Sequence, residues 1–321
     1  MKKSILYNIG EKIKIEEVDS ISEENKVSVK VRYAALNHRD LWIQKGQYAG
    51  LKFPITLGSD ACVLYEGKEY IINPGFQWGP DEKSQSKEFN ILGLPLDGTF
   101  AEEINIDPSY LIPKPEHLSA AEAAALPLAG VTAYRALFSR AKIQKNEKLL
   151  ITGIGGGVAL FGLQFAVAQG LDVYVTTGSQ AKLDAAIKLG AKGGALYATT
   201  DWDKELQSMC SGFDIILDGA CGPNFNKILK LANPGARISI YGGTAGNMQN
   251  ISPQIIFWKQ LNILGSTMGS DKDFNDMVAF VESHKIIPIV DKLFPFDDIN
   301  DAFAKLNEGS QLGKIVLAVN P

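Results

Sequence analysis

A cluster of glycines, Gly153, Gly155, Gly156 and Gly157, is followed directly by Val158. Glycine adopts positive φ readily and lets a backbone come close to an anion. A helix that begins near Val158 would direct its free N–H groups and its positive dipole end at that anion. The segment therefore indicates a phosphate or pyrophosphate site. The strict Gly-x-Gly-x-x-Gly spacing is not met, so a tight turn without a ligand is the alternative.

The end of the next predicted strand, Thr176-Thr177-Gly178-Ser179, indicates which dinucleotide would bind. An Asp or Glu at this position accepts hydrogen bonds from a ribose 2′-hydroxyl and would repel a 2′-phosphate. Here there is no acid, Ser179 can donate, and Lys182 can offset the charge of a phosphate. We therefore expect NADPH rather than NADH. In the alternative interpretation, Ser179 is only a helix N-cap and Lys182 a solvated helix residue.

An alternating series of strands and helices must position these residues. Strands are predicted over 148–152, 173–177, 195–197, 214–217 and 237–241, and helices near 158–169, 180–189, 203–209 and 225–231. This alternation predicts an α/β fold of the Rossmann type, with a doubly wound parallel sheet. Gly242, Gly243 and Thr244 follow a strand whose carboxyl end faces the ligand crevice of such a sheet, so we expect them near a ribose; a plain turn is the alternative.

The parts of the chain on either side have a different pattern. Residues 1 to about 120 are β-rich, with short β-branched segments between polar or Gly/Pro-rich stretches. Ser119 and Glu122 form a predicted capping box at the start of a helix that Pro127 interrupts. After about residue 265, a helix near 272–284, a short helix and a last strand do not extend the alternating unit. We interpret them as the chain returning to its first domain.

Composition excludes several classes of protein. The chain has 321 residues, 45% of them hydrophobic, and a net charge of −4 with mixed signs, which gives no reason to expect nucleic acid or membrane partners. There is no apolar run of membrane-spanning length and no signal-peptide pattern, so a cytoplasmic protein is expected. The three cysteines and three histidines are scattered, which argues against disulfides and a structural zinc site.

Four segments of the chain can be compared with known families. They are "AALNHRDLWIQKGQY", "FPITLGSDACV", "LPLAGVTAYRAL" and "GIGGGVALFGLQFA". Together they resemble the medium-chain dehydrogenase/reductase superfamily, and within it the zinc-free quinone oxidoreductases related to zeta-crystallin. The resemblance implies a GroES-like β-rich catalytic domain, 1–120 with 266–321, a Rossmann domain, 121–265, and a cleft between them. It also implies a homodimer joined through the outer strand of the Rossmann domain, in "NILGSTMG".

Two departures from the zinc-dependent relatives imply that no metal is bound. Those relatives have a cysteine where Asn37 stands and a histidine where Ser59 stands. The loop 73–90 also has none of the four cysteines that hold a structural zinc in relatives. Without a Lewis acid to polarise an oxygen, ordinary alcohol oxidation has little support.

The resemblance also implies site residues. Asn37 could donate to a developing oxyanion, Asp40 could orient a neighbour or the nicotinamide ribose, and Tyr48 could donate a proton or a hydrogen bond. Local backbone pairing, a structural turn and packing are the respective alternatives. On the cofactor side, the resemblance implies that Tyr197 lies near the adenine end and the 2′-phosphate. It also implies that Ser266 and Lys314 bind the cofactor.

These expectations converge on a zinc-independent, NADPH-dependent oxidoreductase that transfers hydride to a quinone or an α,β-unsaturated carbonyl. Two alternatives remain open. One is an alcohol dehydrogenase-like carbonyl reductase. The other is a non-catalytic NADPH-binding protein with a sensing or structural role.

Overall fold

The computed structural model describes all residues from Met1 to Pro321 and divides the chain into two compact units. Unit 1 consists of Met1–Val131 and Gly269–Pro321, and unit 2 consists of Thr132–Met268. Each unit has its own sheet.

The elements are named in chain order. Those that begin before residue 132 are β1 (Lys2–Ile5), β2 (Lys14–Glu17), β3 (Val27–Ala35), α1 (His38–Gln44), β4 (Asp60–Tyr65), β5 (Lys68–Ile72), β6 (Gly75–Phe76), β7 (Asn90–Ile91), β8 (Glu103–Ile106), β9 (Leu111–Pro113), α2 (Ala120–Ala125) and α3 (Pro127–Tyr134). Unit 2 contains β10 (Lys148–Ile151), α4 (Gly157–Ala168), β11 (Asp172–Thr177), α5 (Gln180–Lys188), β12 (Gly193–Leu196), α6 (Trp202–Met209), β13 (Phe213–Asp218), α7 (Phe225–Leu231), β14 (Ala232–Ile240), α8 (Pro253–Trp258) and β15 (Asn262–Gly265). The last part of unit 1 contains α9 (Asp271–Ser283), β16 (Val290–Pro295), α10 (Ile299–Glu308) and β17 (Lys314–Ala318).

Unit 1 is built on a sheet with the strand order β16-β17-β3-β4-β5-β9, in which β8 also pairs with β3. The terminal strand β17 runs antiparallel to β3, with Val316 opposite Ala35. The end of the chain therefore lies in the sheet formed by the N-terminal strands, as the sequence pattern indicates. Fully buried side chains such as Phe100 and Leu317 belong to one core that both chain segments share.

Unit 2 is a parallel six-stranded sheet in the order β12-β11-β10-β13-β14-β15. The central strands β10 and β13 are near-continuous apolar runs, as expected for strands covered on both faces. The chain moves outward from β10 to β12 and then crosses to β13, so the order reverses between β10 and β13. In open α/β sheets, ligands bind at the carboxyl ends of the strands beside such a reversal. This is the Rossmann-type fold that the alternating pattern predicts.

The boundary between the units differs from the expected one. The helix α2 contacts β3, β4 and β17 of the unit 1 sheet, and its alanines 123–125 are buried. Residues 121–131 consequently belong to unit 1, and the boundary falls inside α3 instead of at residue 120. At the other end, unit 1 resumes at Gly269 instead of residue 266. The capping box of Ser119 and Glu122 forms, and Pro127 separates α2 from α3.

Candidate functional site

The glycine turn of unit 2 joins β10 to α4. Gly153 and Gly155 have φ values of +67° and +137°, which favour glycine, and Gly156 precedes the first residue of the twelve-residue helix α4 without any side-chain cap. A Cβ atom placed on Gly153 or Gly156 would meet nothing within 4 Å. Gly157 and Val158 are the first residues of α4, and their N–H groups have no partner within the helix. Together with the open space beside Gly153 and Gly156, this arrangement fits a dinucleotide phosphate.

Polar contacts hold this turn in place. The backbone N–H of Gly153 donates to Thr176 Oγ1 at 3.2 Å, and that of Ile154 donates to the carbonyl of Thr176 at 2.8 Å. The hydroxyl of Thr152 donates to Asp218, a fully buried carboxylate that also accepts from the backbone of Ala220 at 3.1 Å. The turn is thus fixed by residues at the ends of β11 and β13.

The residues predicted to select the dinucleotide lie, like the glycine turn, at the carboxyl ends of the parallel strands. Thr177 is buried at the end of β11, and its hydroxyl accepts from the backbone N–H of Ser179 at 3.3 Å. The side chain of Lys182 lies over the glycine turn, since a Cβ atom on Gly155 would be 2.8 Å from its Cδ. A Cβ atom on Gly178 would similarly be 2.8 Å from the hydroxyl of Tyr197.

The remaining predicted cofactor residues of unit 2 also follow parallel strands. Gly242, Gly243 and Thr244 come after β14, and the backbone of Thr244 donates to the carbonyl of Gly219 at 3.1 Å. Ser266 follows β15, and its N–H donates to the carbonyl of Ile240 at 2.8 Å. The hydroxyl of Ser266 is buried without a hydrogen-bond partner in the protein. Because the strands are parallel, all these residues lie at one edge.

The predicted residues of unit 1 form a second, buried polar cluster. Lys314 donates from Nζ to Asn37 Oδ1 at 2.5 Å and to Asp60 Oδ2 at 2.9 Å, and Asn37 Nδ2 donates to the same Asp60 oxygen at 2.9 Å. Lys314 is 4% exposed and Asp60 is fully buried. Lys314, predicted as a cofactor residue, thus belongs to unit 1, whereas the other predicted cofactor residues belong to unit 2.

Asp60 holds this cluster together. Its Oδ1 accepts from the backbone N–H of Leu128 in the first turn of α3 at 2.8 Å, and its carbonyl accepts from the Thr99 hydroxyl at 3.0 Å. With the bonds from Asn37 and Lys314, both carboxylate oxygens are satisfied. A buried charge is tolerated when it is paired and hydrogen-bonded in this way.

Asp40 is the second carboxylate of unit 1 and is also fully buried. It accepts from the backbone N–H groups of Asn37 at 2.8 Å and Gly58 at 3.3 Å, which ties the start of α1 to the chain before β4. Burial raises the pKa of the Asp40 carboxyl to about 6, against the opposing effect of the nearby Arg39 charge. Its contacts orient the backbone beside Asn37.

Tyr48 lies against Arg39 in the same unit. The guanidinium carbon of Arg39 is 5.2 Å from the centre of the Tyr48 ring. Arg39 Nη1 donates to the Ser59 hydroxyl at 2.8 Å, and this hydroxyl in turn donates to the carbonyl of Leu92 at 2.7 Å. Ser59 therefore takes part in a buried hydrogen-bond network.

Sequence reasoning assigned no role to Arg39 or Asp60. Asp60 stands in the quoted segment "FPITLGSDACV", and an acid at the start of an apolar strand is a signal that could have identified it. Arg39 lies between His38 and Asp40 in a polar run, and nothing in that run distinguishes a buried arginine from an exposed one.

No group of three His, Cys, Asp or Glu side chains in the chain has a geometry that could hold a metal ion. Its three cysteines are all free and buried. None of the helices combines the length and apolar character needed to cross a bilayer.

Comparison with known proteins gives consistent matches over the whole chain. Residues 23–116 match the family described as alcohol dehydrogenase GroES-like domain, and residues 157–283 match the family described as zinc-binding dehydrogenase. The zinc-type alcohol dehydrogenase-like protein YogA of Leptosphaeria maculans is 34% identical, over 92% of this chain and 91% of that protein. A crystal structure of an NAD-dependent alcohol dehydrogenase matches with a TM-score of 0.92 at 30% identity, over 99% of both chains. The quinone oxidoreductase from Thermus thermophilus, solved also as its complex with NADPH, matches with a TM-score of 0.83 at 26% identity, over 99% of this chain and 100% of that one.

Proposed function

From its membership in the medium-chain dehydrogenase/reductase superfamily, to which the chain belongs, we propose that this protein is an NADPH-dependent, zinc-independent reductase of quinones or α,β-unsaturated carbonyls. The observation that carries the proposal is the Asn37–Asp60–Lys314 cluster, which consists of an amide, a carboxylate and an ammonium.

The side chains of this cluster are suited to donate hydrogen bonds to an oxygen atom of a substrate or cofactor. Lys314 has three N–H donors and uses two of them on Asn37 and Asp60. Asn37 uses one of the two N–H donors of its Nδ2 on Asp60. One donor on each side chain is therefore available to a substrate or cofactor oxygen. Donors fixed before the reaction stabilise charge that develops on an oxygen.

The dinucleotide would be held by residues of unit 2. Its phosphates would meet the N–H groups of Gly157 and Val158, and its 2′-phosphate would meet Ser179 and Lys182. When bound, a reduced nicotinamide supplies the hydride. The absence of an acid at the end of β11 supports NADPH over NADH.

A carbonyl reductase resembling the alcohol dehydrogenases is the second candidate, favoured by the likeness to the NAD-dependent alcohol dehydrogenase structure. It would reduce saturated aldehydes or ketones with the same cluster. Relative rates with enones, quinones, aldehydes and alcohols separate the two candidates, because only the first candidate requires a conjugated acceptor.

We also propose a homodimer through the edge of the unit 2 sheet. The edge strand β15 has Ile263 41% exposed, and the preceding α8 has Phe257 65% and Trp258 82% exposed. Exposed apolar side chains of this size beside an unpaired strand edge are typical of an interface.

The decisive experiment uses the purified full chain. Dissociation constants for NADPH and NADH are measured by quenching of tryptophan fluorescence, and zinc is measured by elemental analysis. A panel of acceptors is then screened by the loss of absorbance of the reduced nicotinamide. Stoichiometric zinc in active protein, or tighter binding of NADH, would contradict the proposal. Tight NADPH binding with no turnover of any acceptor would favour a non-catalytic protein.

A further inference from the structure

The guanidinium of Arg39 is a buried cation whose hydrogen-bond partners are all neutral. Arg39 is 6% exposed. Its Nη1 donates to Ser59 Oγ at 2.8 Å and to the carbonyl of Leu92 at 2.9 Å, and its Nη2 donates to the carbonyl of Leu94 at 3.4 Å. A buried charge is expensive to desolvate, and buried guanidinium groups normally pair with a carboxylate.

The two nearby carboxylates have other partners. Asp60 is bound by Lys314 and Asn37. Asp40 accepts from the backbone N–H groups of Asn37 and Gly58, and it balances the Arg39 charge without a hydrogen bond to it. The hydrogen-bonding capacity of Arg39 is therefore not saturated by an anion of the protein.

The donors that remain are the N–H of Nε and one N–H of Nη2. An arginine has five N–H donors, and Arg39 uses both at Nη1 and one at Nη2. The N–H of Nε is buried and has no partner. Nε and Nη2 form the edge of the planar guanidinium that binds a carboxylate or another oxyanion through parallel bonds.

We propose that Arg39 is a catalytic residue that binds the carbonyl oxygen of a conjugated acceptor through Nε and Nη2. This inference rests on the proposed reductase function and names the class of acceptor, an enone in which the reducible C=C bond is conjugated to a carbonyl.

Reduction of the enone has two steps, hydride transfer and protonation. Hydride from the reduced nicotinamide forms a C–H bond at the β-carbon, and the C=C π bond breaks. The electron pair moves through the α-carbon to the carbonyl oxygen, which becomes an enolate oxygen beside the Arg39 cation. A proton from water then adds at the α-carbon and restores the carbonyl. The nicotinamide is oxidised and the enone is reduced to the saturated ketone.

The ring of Tyr48 controls access to Arg39. It lies over the guanidinium and is half-buried in a segment whose residues 45, 47, 49 and 50 are exposed. Gly46 and Gly50 in this segment have φ values of +72° and +68°. The acceptor displaces the ring as it enters, and the hydrogen bond to Nε forms at that point.

The first test compares Arg39→Lys and Arg39→Gln with the wild type. We expect kcat/KM for cyclohex-2-enone to fall about 100-fold or more in Arg39→Gln, as when one oxyanion donor is removed. Arg39→Lys keeps the positive charge but loses the paired N–H donors of the guanidinium. We therefore expect its kcat/KM to lie between those of the wild type and Arg39→Gln. NADPH affinity, measured by fluorescence, remains within about twofold of the wild type because the dinucleotide contacts proposed in unit 2 are intact.

Arg32→Gln is the matched control in the same unit. Arg32 donates to Glu69 and to the carbonyl of Asn320, so its substitution also removes side-chain bonds and a charge from unit 1. We expect this variant to keep the wild-type kcat/KM. An equal loss of activity in Arg32→Gln, or wild-type enone reduction by Arg39→Gln, would overturn the role of Arg39.

The second test does not depend on turnover. The carboxylate of benzoate can accept hydrogen bonds from the same two donors, Nε and Nη2, that would bind the enolate oxygen. Benzoate should therefore inhibit competitively against the enone. Its binding is measured by calorimetry on the full chain, and it should weaken about tenfold or more in Arg39→Lys. Binding of benzoate that Arg39→Lys leaves unchanged would overturn the oxygen site. Benzoate binding through Arg39 without turnover of any acceptor would overturn the proposed function and leave the oxygen site standing.

Discussion

The ammonium of Lys314 lies 2.9 Å from Oδ2 of Asp60, and neither side chain is more than 4% exposed. The two residues are far apart in the sequence, and β17 brings them together by pairing with β3, which itself pairs with β4. Asn37 bonds to both of them. The return of the chain to its first sheet thus completes the polar cluster of unit 1.

Loss of one partner of this pair should destabilise the fold strongly. We expect Lys314→Met to lower the free energy of unfolding by about 3 kcal/mol or more, since it leaves the Asp60 carboxylate buried without a counterion. Adding Asp60→Asn should restore most of the loss. Urea denaturation followed by circular dichroism gives the measurement. Lys2→Met, which breaks the exposed pair with Asp297, is the control and should change stability by less than about 1 kcal/mol.

The buried carboxyl of Asp40 should make stability depend on pH. Its pKa is about 6 in the folded chain and near 3.8 when unfolded, so the folded state binds the proton more tightly. Proton binding by Asp40 therefore stabilises the folded state. This contribution is fully present below pH 3.8 and is lost as the pH rises through about 6. Asp40→Asn resembles the protonated form. We expect the variant to gain stability relative to the wild type as pH rises from about 4 to about 7, by an amount on the order of 3 kcal/mol. A difference that stays constant over this range would contradict the raised pKa.

Dinucleotide preference should respond to the end of β11. We expect Ser179→Asp to reverse the preference from NADPH to NADH, because an acid there accepts from a 2′-hydroxyl and repels a 2′-phosphate. Lys182→Gln should weaken NADPH by about tenfold and leave NADH nearly unchanged. Lys188→Gln, an exposed lysine in the last turn of the same helix, is the control. Equal losses of both dinucleotides in Lys182→Gln would argue against a 2′-phosphate contact.

Substitutions in the glycine turn should distinguish an effect on NADPH binding from an effect on stability. Gly156 has φ of −80° and open space at its Cβ position, so Gly156→Ala should cost less than about 1 kcal/mol in stability while its methyl group obstructs a phosphate. Gly155→Ala should lower both the stability and the NADPH affinity, because φ at Gly155 is +137° and the added Cβ atom would meet Lys182. Thermal denaturation and NADPH titration of both variants give the comparison. Unchanged NADPH affinity in Gly156→Ala would mean that the turn binds no phosphate.

The proposed dimer should depend on the unpaired backbone groups of β15. Ile263→Pro removes a backbone donor from the exposed strand and should convert a dimer to a monomer in sedimentation experiments. Leu293→Lys alters an apolar side chain of similar exposure, 47%, on the edge strand β16 of unit 1 and should leave the dimer intact. The opposite result would move the interface to unit 1.

The sequence was sufficient to predict most of unit 2, because each of its strands and longer helices carries a strong local pattern. Gly170 and Gly190, both at positive φ, follow the C-caps of α4 and α5. The short helices α1 and α8 were not predicted. The burial of Arg39 and its bonds to Leu92 and Leu94 depend on a loop far along the chain, which no local pattern encodes.

The positive charges of Arg39 and Lys314 are covalent parts of the chain, unlike the charge of a bound ion. A chelator cannot extract them, a competing ion cannot displace them, and growth in metal-poor surroundings cannot leave the polypeptide without them. Their number and position are set at translation, so every folded copy of the polypeptide carries the same two cations inside unit 1.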